Sequence, residues 1–127
     1  MIERINPPGV PAPRGPYSPA VRAGDFIFVS GQVPVDPATG QLINSDIGTE
    51  TRQVLNNIKS VLEASGATMA DVVRCGVFLL DGSEFAAMNA VYAEFFGEAK
   101  PARATVVTGF AVTGMRVEID AVAYKPR

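Results

Sequence analysis

MRVEIDAVAY, residues 115–124, alternates without a break: Met115, Val117, Ile119, Ala121 and Ala123 fall on one face and Arg116, Glu118 and Asp120 on the other. A period of two is that of a β-strand with one face buried. Working outward, RATVVTGF before it reads as another strand, joined to it by a glycine-containing connection. VVRCGVFLL (72–80) is a β-branched and aromatic run too short for a core helix, so it reads as a buried strand. FIFVSGQVPV (26–35) is a further strand, closed by the turn residues DPATG (36–40).

Two segments carry a helical period instead. From Asp46, Ile47, Val54, Leu55, Ile58, Val61 and Leu62 form one stripe, and Gly66 supplies a stop. Ser83 is predicted to cap a second helix whose face holds Phe85, Met88, Tyr92, Phe95 and Phe96 and which ends at Gly97. Six prolines in the first twenty residues make that segment an extended arm. The order strand, strand, helix, strand, helix, strand, strand predicts an α+β domain spanning residues 1–127, with two helices on one face of a single sheet. The opposite face carries too much apolar surface to stand bare, which predicts self-association through it.

Composition restricts the chemistry. The chain of 127 residues has a net charge of −2 and no basic run, so neither a nucleic acid nor an anionic membrane surface is an expected partner. No segment resembles a signal sequence or a membrane span, and a cytoplasmic location is the default expectation. With no histidine and one cysteine, histidine-dependent nucleophilic sites, HExxH zinc sites and internal disulfides are excluded. Cys75 reads as a buried, inert thiol. No GxGxxG or GxxxxGK[ST] pattern occurs. Catalysis is left to Arg, Glu, Asp, Tyr, Ser, Thr, Asn or backbone groups.

Arg103, in KPARATVVTGF (100–110), is the conspicuous charge in an apolar strand. Period two places Arg103, Thr105 and Val107 together, and antiparallel pairing of the last two strands would bring Arg103 toward Glu118 and Asp120. From the residues alone two readings stand: a structural ion pair at a sheet edge, or a guanidinium that binds a carboxylate ligand while Glu118 handles a proton or water.

GPYSPA (15–20), FVSGQVPVDPATG (28–40), TRQVLNNIKSVLEASG (51–66), FAAMNAVYAEFF (85–96), PARATV (101–106) and VEIDAVA (117–123) together resemble the Rid family, the YjgF-type enamine/imine deaminases. The resemblance covers nearly the whole chain. It implies a chorismate-mutase-like fold and a homotrimer with ligand clefts between subunits. The implied activity is hydrolysis of 2-aminoacrylate-type enamines and 2-imino acids, such as 2-iminobutanoate and 2-iminopropanoate, to 2-oxo acids and ammonia, with no cofactor or metal. Carried over residue by residue, it makes Arg103 the carboxylate holder and Glu118 the residue that activates water. Tyr17, Ser30, Gly31, Asn89 and Thr105 become substrate-binding positions. Read without the resemblance, Tyr17 anchors the arm, Ser30-Gly31 bends a strand and Asn89 faces solvent. Two departures stand out: Thr105 where many members have cysteine, and Ala111-Val112 where they have Leu-Pro. A non-catalytic carboxylate-binding trimer is the alternative, and the net charge argues against a ribonuclease.

Overall fold

A computed structural model describes residues 1–127. The strands are β1 (Ile2–Ile5), β2 (Ala20–Ala23), β3 (Phe26–Gln32), β4 (Val35–Asp36), β5 (Gln41–Leu42), β6 (Val72–Leu79), β7 (Ala102–Val107) and β8 (Val117–Tyr124); the helices are α1 (Ile47–Ala64) and α2 (Phe85–Phe96). Six strands form one sheet in the order β1-β2-β3-β8-β6-β7, and β4 and β5 make a separate small ribbon. All pairs in the large sheet are antiparallel except β6 and β7, which are parallel. Parallel neighbours need a crossover, and α2 supplies it, just as α1 carries the chain from the β3 side of β8 to the β6 side.

The expected alternation of the last strand is confirmed. Val117, Ile119, Ala121 and Ala123 are buried in a core of 23 residues shared with both helices. Asp46 caps α1 by accepting a hydrogen bond from the Thr49 amide, and Gly66 beyond its end adopts φ 88°. α1 buries Val54, Leu55, Ile58, Val61 and Leu62, as its stripe predicts.

Several expectations are corrected. The strand expected over 26–35 ends at Gln32, whose partner on β8 is Ile119 beyond a register irregularity after Val29; Val35 belongs to β4 instead. The proline-rich arm begins extended, as expected, and its Ile2–Ile5 stretch goes further by pairing with Ala20–Ala23 at the sheet edge. Ser83 does not cap α2. Its amide donates to Asp81, which caps a single tight turn at Gly82–Glu84 ahead of the helix. Phe85 remains exposed, and Val91 takes the buried place on α2 beside Met88, Tyr92 and Phe96.

The main correction concerns the last two strands. β7 and β8 are not neighbours, because β6 lies between them. Cys75 faces Arg103 on one side and Ala121 on the other, while Phe78 faces Val106 and Glu118. Residues level across a sheet share a face. Arg103, Thr105 and Val107 therefore stand on the helix side, and Glu118 and Asp120 on the open side. The apolar surface of the open face comes instead from Phe26, Phe28, Val106 and Tyr124, all exposed.

Two buried polar side chains brace the segments around the sheet. The carboxylate of Glu50, fully buried, accepts hydrogen bonds from the amides of Ser45 (3.0 Å) and Arg116 (2.7 Å), tying the start of α1 to the entry of β8. Asn57 donates to the carbonyls of Val33 and Val35 and accepts from Gln53, which fixes the chain leaving β3. Buried polar groups satisfied in this way hold one geometry, because losing a partner strands the other group without water.

Candidate functional site

The residues singled out from the sequence divide into two groups on opposite faces of the sheet. On the open side, Tyr17, Ser30, Gly31 and Glu118 line one cavity of about 400 Å³ together with Arg14, Val33, Ala111 and Val112. Ser30 is fixed by donating its hydroxyl to the Ser18 carbonyl at 2.6 Å and its amide to the Pro19 carbonyl at 3.0 Å. Gly31 is required by close approach: a Cβ there would overlap the Glu118 carboxylate. The strand irregularity and the glycine thus open room for Glu118 to lie against the β3 backbone. Tyr17 accepts a hydrogen bond from the Arg14 amide at 3.0 Å, which folds the arm over the cavity.

Glu118 is half-buried and forms neither an ion pair nor a side-chain hydrogen bond. Burial holds its carboxyl above the ordinary glutamate range, and the neighbouring Asp120 charge pushes the same way. Asp120 is itself engaged, accepting from the Gly76 amide at 2.7 Å.

On the helix side, the Arg103 guanidinium lies 4.8 Å from the centroid of the Tyr92 ring and 5.6 Å from that of Phe85. Phe85 and Tyr92 are seven residues apart on α2, and Asn89 sits between them on the same helical face. The aromatic rings hold a cation without neutralising it. Arg103 also has no carboxylate partner, so the structural ion pair left open by the sequence is not formed within the chain. Thr105 lies two residues on, its hydroxyl shielded from solvent and without a partner, and the Tyr92 hydroxyl is orphaned likewise. Lys100, at φ 38° just before Pro101, turns the chain into this strand.

Cys75 lies beneath this group, fully buried. Burial pushes its thiol up to about 11, with the Asp120 charge adding to the rise and the Arg103 and Arg74 charges opposing it. At neutral pH that leaves roughly one thiolate in ten thousand. Native protein at pH 7 is therefore expected to show no reaction with a thiol-specific disulfide reagent over minutes, and one equivalent after denaturation; rapid labelling of the folded protein would contradict the buried-thiol reading. No group of three or more His, Cys, Asp or Glu that could hold a metal ion occurs, and no helix is long and apolar enough to cross a membrane.

With this geometry in view, comparison with known proteins places the chain. The family model described as Endoribonuclease L-PSP, which covers the YjgF/RutC/Rid proteins, matches residues 9–125. The chain belongs to the Rid family. A RutC family protein of Pyrococcus horikoshii is 50% identical over 125 residues, spanning 98% of this chain and 99% of that one. A 2-iminobutanoate/2-iminopropanoate deaminase of Dermatophagoides farinae is 40% identical over 118 residues, spanning 93% and 92%. The crystal structure of a Thermotoga maritima protein, provisionally labelled an endoribonuclease, superposes with a TM-score of 0.94 at 39% identity over 100% of both chains. The architecture is the chorismate-mutase-like fold of YjgF-family proteins, with two helices on one face of a mixed sheet.

Sequence reasoning did not find Arg14 or the stacking role of Phe85 and Tyr92. Arg14 was legible as a lone charge three residues before Tyr17 in a proline-rich arm, whereas the stacking needed the crossover geometry that brings α2 over β7.

Proposed function

We propose that this Rid family member hydrolyses 2-imino acids and their enamine tautomers to 2-oxo acids and ammonia, in a cleft formed where two copies meet. The observation that carries this reading is that Arg103 and Glu118 are both partly buried, oppositely charged and without ion-pair partners, yet lie on opposite faces of one sheet. One chain cannot bring them to a common substrate, whereas a neighbour seated on the apolar open face can present its Arg103 edge to the Glu118 cavity.

In such a cleft the arginine fork takes the substrate carboxylate through two parallel N–H donors, a geometry that lysine lacks. The imine carbon is already electrophilic, so orientation and a local base are the main requirements. Glu118, its proton affinity raised by burial, accepts a proton from water as the water oxygen bonds to C2 and the C2–N π electrons take up a proton at nitrogen. Collapse of the resulting carbinolamine breaks the C2–N bond and releases ammonia, with the hydroxyl proton lost as the 2-oxo group forms. An enamine first gains a proton at C3 to give the same imine. Tyr17, Ser30 and Gly31 line the water-facing side, and Asn89 and Thr105 accompany Arg103.

Coupling the protein to a threonine dehydratase and following 2-oxo acid release tests the activity; no acceleration over buffer would refute it. The shared cleft has its own tests. Light scattering at micromolar concentration should give three times the 13.4 kDa chain mass, and a stable monomer would rule the arrangement out. Inactive Arg103→Ala and Glu118→Gln proteins, unfolded and refolded together, should recover activity, since random mixing leaves about a quarter of the clefts with both native residues. Failure of the refolded mixed trimers to recover activity would overturn the shared cleft.

A further inference from the structure

The Glu118 cavity holds a second charge for which the proposed hydrolysis has no use. Arg14 lines its wall, is exposed to solvent, and forms no ion pair. Its guanidinium makes a single hydrogen bond, from Nη2 to the Gly40 carbonyl at 3.1 Å, so most of its donors are free. Its backbone is restrained by Pro13 before it and by the hydrogen bond that its own amide donates to the Tyr17 hydroxyl. The neighbouring wall at Val33, Ala111 and Val112 is apolar. Arg14 and Glu118 are thus the only charged side chains lining this cavity.

A monocarboxylate imine satisfies one guanidinium, that of Arg103. We propose that Arg14 is a second anion site, which receives the side-chain carboxylate of a 2-imino dicarboxylate of four or five carbons. This deepens, and rests on, the deaminase reading. The 2-carboxylate occupies the Arg103 fork, C2 faces Glu118, and the distal carboxylate spans the cavity toward the arm. A cavity of about 400 Å³ lies within the range of small-molecule sites and exceeds what the methyl or ethyl side chain of 2-iminopropanoate or 2-iminobutanoate fills. The balance is unchanged: one water adds at C2, one ammonia leaves, and both carboxylates remain intact.

The test compares imines made in situ by amino-acid oxidases from aspartate or glutamate with those from alanine or 2-aminobutanoate, following 2-oxo acid release against trapping by semicarbazide. The wild-type protein should favour the dianionic imines, and Arg14→Gln should lower the ratio of kcat/KM for dianion over monoanion by about tenfold, with Arg14→Lys restoring part of it. An unchanged ratio overturns the inference, whether both activities are kept or both fall equally; an equal fall would make Arg14 a holder of the 2-carboxylate or of the arm. Calorimetry covers the case of no turnover on any imine, in which the deaminase reading fails by itself. The wild-type protein should then bind 2-oxoglutarate more tightly than 2-oxobutanoate, and Arg14→Gln should erase that preference; equal affinities sink the second anion site.

Discussion

Arg103→Ala is expected to lower kcat/KM for imine hydrolysis by about 10²–10³-fold while leaving the melting temperature nearly unchanged. The magnitude follows from removing a bidentate charge-assisted contact in a partly dry cleft, which typically costs about 2–5 kcal/mol when the partner charge is left unpaired. Folding should tolerate the change, because Arg103 stands on an edge strand and contributes stacking on Tyr92 and Phe85 rather than a buried ion pair. Arg103→Lys keeps the charge and loses the fork, so it should recover activity only in part and mainly through KM. Steady-state kinetics with a calorimetric melt decides the matter: wild-type kcat/KM in the alanine protein would remove Arg103 from the site.

Glu118→Gln is the second large effect, expected to reduce kcat by about 10²–10⁴-fold through loss of the base. The same substitution should raise stability at neutral pH. A carboxyl whose pKa is higher in the folded than in the unfolded chain binds its proton more tightly when folded. Stability then declines as pH rises from the ordinary glutamate range through the raised folded value, and above that window the charged form remains a standing cost. Glutamine removes that cost while keeping the shape. The acid limb of the pH–activity profile should accordingly lie above the ordinary glutamate range, and Asp120→Asn should move it to lower pH, since the Asp120 charge raises Glu118. Asparagine can still accept from the Gly76 amide through its side-chain oxygen. A limb that stays in place in the asparagine protein would assign it to another group.

On the proposed reading, these effects describe a trade in which a carboxylate is kept partly dehydrated and without a partner so that it can act as a base. Gly31 belongs to the same arrangement: it makes the room in which Glu118 lies, and any larger residue would displace the carboxylate.

Much of this was written in the chain itself. The alternation of residues 115–124, the stripe of α1 and the glycine stops follow from local periodicity and backbone freedom, so the elements and their buried faces were readable without coordinates. The absence of histidine had already confined any catalysis to a few side-chain types. Local pattern could not say which strands would be neighbours. A helix between β6 and β7 makes them parallel, and β8 then fills the remaining edge of β6, so the two final strands in sequence end up separated in space. That single topological fact moved Arg103 to the helix side, under Phe85 and Tyr92, and left Glu118 on the open face with Arg14. Sequence chose the residue types; the order of strands decided that one chain holds Arg103 and Glu118 apart, because a sheet has two faces and the register sets which one each side chain meets.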